Sequence, residues 1–237
     1  MTAVLDQIRI VLCQTSHPGN IGAAARAMKT MGLNRLFLVA PKRYPDPEAE
    51  AMSAGASDLL AQATVCTTLQ EALAGCSLVI GLSARKRELT HELVSARAAA
   101  IEAVSHAAHA PVALVFGNET SGLSNAELIQ CQRLAMVPAN PAYSSLNLAA
   151  AVQILAYELR QQALAPIQEN EPAHRLATHE EVEGLYQHLE ATLVSTGYLN
   201  PDQPKRLMPR LRRLFGRARL EKEEINILRG ILKSIRR

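Results

Sequence analysis

Val112-Ala113-Leu114-Val115-Phe116-Gly117-Asn118-Glu119-Thr120-Ser121-Gly122-Leu123-Ser124-Asn125 is the stretch whose reading decides the fold. Five apolar, β-prone residues run into a polar turn edged by glycines. Ser124, with Glu127 three residues further on, then has the spacing of a capping box that opens a helix. The same succession recurs on both sides. Strands are predicted at Ile8–Cys13, Arg35–Val39, Leu78–Leu82, Val112–Phe116 and Leu134–Val137. Helical patterns lie between them at Gly19–Met31, Thr68–Ala74, His91–Ala107 and Ser145–Leu164. Such alternation predicts an α/β fold, a mostly parallel sheet covered by helices.

Composition agrees with that class. Of 237 residues, 48% are hydrophobic and only 3% aromatic, with no tryptophan, which points to an Ala/Leu/Val/Ile core. Cys13, Cys66, Cys76 and Cys131 stand apart, without a Cys-x-x-Cys pair or a histidine at ligand spacing. Neither a zinc site nor a disulfide framework is expected, and a reducing cytoplasm suits them. The first apolar run, Ile8 to Cys13, is short and interrupted by Arg9, which is not a signal peptide. Leu134 to Tyr157 carries no formal charge, yet Pro138, Asn140, Pro141, Ser144, Ser145 and Asn147 rule it out as a membrane span.

After Leu164 the sequence turns polar and proline-flanked, Ala165-Pro166-Ile167-Gln168-Glu169-Asn170-Glu171-Pro172. This divides the chain into a body of residues 1–164, a linker of 165–178 and an extension of 179–237. Thr178 with Glu181 opens a helix expected to reach about Thr196, followed by helices near Gln203–Phe215 and Glu221–Ile235. Charge is divided the same way. Residues 200–237 hold 12 Lys/Arg against 4 Asp/Glu, whereas residues 1–199 hold 13 against 18. A basic helical module on a mildly acidic body suggests a polyanionic partner such as RNA.

Three segments have the composition to carry chemistry. The first, Thr15 to Arg26, lies where the first strand meets a helix. Its small residues make the helix N-terminus a natural anion cradle. On a helical wheel Gly19, Gly22 and Arg26 share one side, which places Arg26 above a flat glycine face; the plainer reading is close packing beside a solvated arginine. GxGxxG is absent, which removes the main support for hydride chemistry. The second, Gly117 to Gly122, has the glycine spacing of a phosphate loop, but Leu123 stands where that loop requires lysine. What remains is a turn at the carboxyl end of a strand, the usual ligand position in an α/β sheet, carrying one carboxylate, Glu119. The third, Val137 to Ala151, is an extended double-proline loop leading through Ser144-Ser145-Leu146-Asn147 into an alanine-rich helix. On the plainer reading a serine there caps a core helix. Asn147, expected one turn inside it, needs a partner if buried.

Together the segments resemble, in order, the signature motifs of the SPOUT superfamily of trefoil-knotted RNA methyltransferases. Asn20 and Arg26 form the Asn-x5-Arg, Gly117 to Glu119 the Gly-Asn-Glu, and Ser145 to Asn147 the Ser-Leu-Asn. The resemblance covers about residues 6 to 164, extends through the basic helical tail, and is close to the branch that methylates a tRNA ribose at cytidine or uridine 32. It implies a homodimer with a knotted catalytic segment that binds S-adenosylmethionine. The implied cofactor contacts are Leu82, Ser83, Ala84, Gly117, Val137, Ser144, Ser145 and Leu146. The implied catalytic group comprises Arg26, Asn20, Glu119, Ser145 and Asn147, with no metal.

Methyl transfer to a ribose hydroxyl needs alignment and removal of one proton. A guanidinium is a poor base, so Arg26 is assigned to positioning a phosphate or stabilising the developing alkoxide. Lys205, Arg206, Arg210, Arg212, Arg213, Arg217 and Arg219 of the extension are expected to contact phosphates, and the scarcity of aromatics argues against stacking as the main mode. Two alternatives stay open at this level: a base methyltransferase of the same superfamily, and a non-catalytic RNA-binding or ribosome-assembly factor.

Overall fold

A computed structural model describes residues 3–83, 93–165 and 176–235. Its centre is a seven-stranded sheet: β1 (Ile8–Cys13), β2 (Arg35–Val39), β3 (Thr64–Cys66), β4 (Leu78–Leu82), β5 (Leu93–Ser95), β6 (Val112–Phe116) and β7 (Arg133–Met136). The order across it is β3-β2-β1-β6-β4-β7-β5, and every pairing is parallel. All carboxyl ends therefore lie on one edge. Along β1, Ile8, Ile10 and Leu12 enter one hydrophobic core while Val11 and Cys13 enter the other, because side chains alternate faces.

One 3-10 turn, Leu5–Gln7, and ten α-helices accompany the strands among the described residues. In the body these are α1 (Pro18–Met31), α2 (Pro47–Ser53), α3 (Ser57–Ala61), α4 (Leu69–Leu73), α5 (Ala96–Ala107), α6 (Asn125–Leu128) and α7 (Leu148–Leu164). Ser124 makes the expected capping box with Glu127 at α6. Several elements differ from the sequence reading. β3 and β5 are three residues each, too short for a periodic signature. The helix expected from His91 begins at Ala96, because Leu93–Ser95 pair with β7; His91 itself lies outside the described residues. α2 and α3 were not anticipated, although Asp46 caps α2 ahead of Pro47 in the usual way.

The extension folds as α8 (His179–Ser195), α9 (Leu207–Ala218) and α10 (Lys222–Ile235), and α8 opens with the Thr178–Glu181 capping box. It has its own small core of Ala177, Leu185, Ile225 and Leu232. Among the described residues, three hydrogen bonds help to dock it on the body. His179 N donates to Cys76 O at 2.7 Å, Gly75 N donates to Glu180 Oε1 at 2.7 Å, and Arg219 Nη2 reaches Glu102 Oε1 at 2.7 Å. Most of the expected linker falls outside the described residues. Among those described, no helix is long and apolar enough to cross a membrane.

Candidate active site

The parallel sheet assembles the site. β1 pairs with β6, Leu12 opposite Phe116, so the loop leaving β1 lies beside the turn leaving β6. β6, β4 and β7 are neighbours, which lines up the ends carrying Gly117, Leu82 and Val137. Ligands of open α/β sheets bind along this carboxyl edge.

The turn after β6 is closed on itself. Gly122 N donates to Asn118 O at 2.8 Å, and Gly122 adopts φ +67°. A methyl group at Gly117 would come within 2.2 Å of Gly122 C, so only glycine permits the fold-back. Leu123, where a phosphate loop has lysine, is buried in the core. Asn118 ties the turn to the β1 loop, its Nδ2 donating to Gln14 O at 2.7 Å and to Ser16 Oγ at 2.8 Å.

Glu119 is thereby delivered to the start of α1. Its Oε2 accepts from Ser16 N at 2.9 Å, and its Oε1 accepts from His17 N at 3.3 Å and Asn20 Nδ2 at 2.9 Å. The anion at this helix start is thus the chain's own carboxylate. Partial burial raises the affinity of Glu119 for a proton, but the bonds from Asn20, Ser16 and His17 outweigh it and hold the carboxyl below its ordinary range. Asn20 passes the connection on, its Oδ1 accepting from Asn147 Nδ2 at 2.9 Å.

Asn147 occupies a different place from the one expected. α7 begins at Leu148, and Asn147, rather than a serine, is its cap, with Oδ1 accepting from Ala149 N at 2.9 Å and Ala150 N at 3.3 Å. Both ends of its amide are used, one by the helix and one by Asn20. Ser145 and Leu146 are exposed just before the cap, and Ser144 is half-buried.

Of the two readings of the glycine face of α1, the structure shows close packing. A methyl group at Gly22 would lie 2.0 Å from Ala49 O, and one at Gly19 would lie 2.9 Å from Glu48 Oε1. Both glycines are buried where α2 packs, so they serve helix–helix contact and not an open platform. Arg26 follows on the same side of α1, exposed, and makes no hydrogen bond or ion pair among the described residues. Within one chain, Asn20, Glu119 and Asn147 are joined directly, and Arg26 is not joined to them.

Leu82, Ser83, Gly117 and Val137 stand at or just beyond the ends of the three neighbouring strands, and Ser83 N donates to Ala135 O at 3.0 Å. Ala84 lies outside the described residues. A rim of strand ends offers mostly backbone groups, which fits a nucleoside-type donor held without charged side chains. Asn118, Ser16 and His17 lie within the motif segments but carry no role in the sequence reading, because their contacts form only once β1 and β6 are paired.

In the extension, Lys205, Arg206, Arg210, Arg213 and Arg217 are exposed. Arg206, Arg210, Arg213 and Arg217, spaced four, three and four apart, form one stripe along α9. Arg212 does not belong to it. Its Nη2 lies 2.8 Å from Glu183 Oε2 and its guanidinium 4.4 Å above the Tyr186 ring, so it closes the helical core. Arg219 is likewise engaged, with Glu102 of the body.

The family follows from residues 7–157, which match the model of the SpoU rRNA methylase family, and the chain belongs to that family. Residues 180–237 match a second model, described as the C-terminal domain of the tRNA methyltransferase TrmJ. The chain is 51% identical to the tRNA (cytidine/uridine-2′-O-)-methyltransferase TrmJ of Pectobacterium atrosepticum, covering 99% of this chain and 98% of that one. It is 54% identical to the TrmJ of Yersinia pestis, covering 98% and 92% respectively. Among solved structures, TrmJ from Z. mobilis superposes with a TM-score of 0.85 at 35% identity, covering 97% of this chain and 99% of that one.

Proposed function

We propose that this chain transfers a methyl group from S-adenosylmethionine to the ribose 2′-hydroxyl of cytidine or uridine 32 in the anticodon loop of tRNA. The observation that carries the reading is the hydrogen-bonded series Glu119–Asn20–Asn147, which joins the three motif segments in one place at the carboxyl edge of the sheet. The full-length likeness to tRNA 2′-O-methyltransferases supports the substrate.

The donor's sulfonium supplies an activated methyl group. Leu82, Ser83, Ala84, Gly117, Val137 and Ser144 to Leu146 hold the donor, largely through backbone groups. Asn20 and Asn147 fix the entrance of α1 against that of α7, and Ser145 and Glu119 complete the frame that orients the ribose. Glu119 is an anchor: three donors already engage it. As the S–CH3 bond breaks and the O–CH3 bond forms, the hydroxyl proton passes to solvent, and the Arg26 guanidinium either holds the target phosphate or steadies the developing alkoxide.

Its exposure away from Asn20 fits a homodimer in which Arg26 of one chain serves the donor site of the other. Residues 1–164 form the knotted methyltransferase body, 165–178 the linker and 179–237 the RNA-binding extension. The enzyme works in the cytoplasm, with its substrate. The test is incubation with labelled S-adenosylmethionine and unmodified tRNA. Label in tRNA is expected from wild type, and Arg26→Ala is expected to lose transfer while binding the donor normally by calorimetry. Wild-type turnover in that variant contradicts the assignment.

A further inference from the structure

A hollow of about 580 Å³ opens in the extension where the loop after α8 leads into α9. That size lies within the range of small-molecule sites, about 300–1,000 Å³. Lys205, Arg206 and Arg210 line it, and no carboxylate does. Tyr198 and the polar side chains of Asn200 and Gln203 complete the wall. None of the three cations is ion-paired among the described residues, in contrast to Arg212 and Arg219 nearby.

Stability does not account for this arrangement. Cations around a helix start oppose the helix dipole, and α9 has neither an acidic residue in its first turn nor a side-chain cap. Tyr198 is equally unexplained by packing. Its neighbour Leu199 is buried and anchors the loop through Leu199 N to Leu193 O at 2.9 Å, whereas Tyr198 is 73% exposed. A large aromatic held in water beside three unpaired cations matches the two halves of a nucleotide, a ring to stack and a phosphate to neutralise.

We propose that this hollow binds one nucleotide of the RNA substrate, its base on the Tyr198 ring and its phosphate among Lys205, Arg206 and Arg210. The site rests on the reading of the chain as an RNA-acting enzyme. It places a stacking contact in an extension otherwise dominated by charge, at one end of the stripe that continues through Arg213 and Arg217.

The experiment measures tRNA affinity of the full chain across a salt series. Tyr198→Ala weakens binding about fivefold or more with the salt slope unchanged, since stacking is not counterion-linked. Tyr198→Phe stays within about twofold of wild type. Replacing both Lys205 and Arg206 by alanine shallows the slope by about one to two. Tyr198 is so exposed that its replacement leaves the fold intact, which a melting curve checks. Wild-type affinity in Tyr198→Ala, or Tyr198→Phe as weak as Tyr198→Ala, overturns the proposal. Methyl transfer is read in parallel. Transfer without any dependence of RNA affinity on Tyr198 sinks the hollow alone, and Tyr198-dependent binding without transfer upholds the hollow and sinks the methyltransferase reading.

Discussion

Asn147 Nδ2 donates to Asn20 Oδ1 across 2.9 Å, joining residues 127 positions apart. Asn147 Oδ1 meanwhile caps α7. One amide therefore both starts a helix and ties it to the neighbouring motif, and the two roles separate by substitution. Asn147→Asp keeps the cap, because aspartate accepts the same backbone bonds, but loses the donor toward Asn20. It is expected to melt near wild type while methyl transfer falls about 100-fold. Asn147→Ala loses both, with about 1 kcal/mol of stability. Thermal unfolding beside steady-state kinetics checks the split.

Gly22 packs against the backbone of α2, where a methyl group would lie 2.0 Å from Ala49 O. Neither backbone can yield cheaply. Gly22→Ala is expected to destabilise the body by about 3 kcal/mol, read by denaturant titration. A stability equal to wild type contradicts the packing account.

The arginines of α9 divide by what they touch. Arg212→Ala leaves Glu183 buried without its partner and is expected to cost about 3 kcal/mol in unfolding of the extension. Arg213→Ala, one residue away and exposed, leaves stability unchanged and lowers the salt slope of tRNA binding by about one. Paired melting and binding series distinguish them.

The joint between body and extension, where His106 lies beside Arg219, is expected to respond to pH. Burial, reinforced by Arg219, Arg133 and His109, lowers the pKa of His106 from 6.5 to about 4. The unfolded chain takes up a proton below 6.5 that the folded chain refuses until about 4. The contribution of His106 is thus present in full above 6.5 and is lost as pH falls toward 4, by about 3 kcal/mol in total. His106→Gln is expected to flatten the stability profile between pH 7 and pH 4.5.

Much of this was legible in sequence, and the rest was hidden for identifiable reasons. β1, β2, β4 and β6 are largely apolar stretches of five or six residues whose bounds the sequence pattern predicts to the residue. β5 is three residues long and merges into the alanine-rich run of α5. The motif residues Asn20, Glu119 and Asn147 were recognisable by type and order. Their connection was not, because it depends on β1 pairing with β6 and on α7 starting at Leu148. Glycine composition at 19 and 22 allowed either an open platform or close packing, and only the position of α2 decides for the packing surface. Arg212 looked like its neighbours in the basic stretch because its partner Glu183 is 29 residues away.

The decisive measurement is alkaline hydrolysis of tRNA after reaction with S-adenosylmethionine and the wild-type chain. A ribose whose 2′-oxygen carries a methyl group cannot attack its own phosphate, so one rung should vanish from the ladder, at nucleotide 32, and should reappear with Asn20→Ala. A complete ladder from RNA that has nevertheless gained a methyl group would mean that the methyl sits on a base, and would contradict the account.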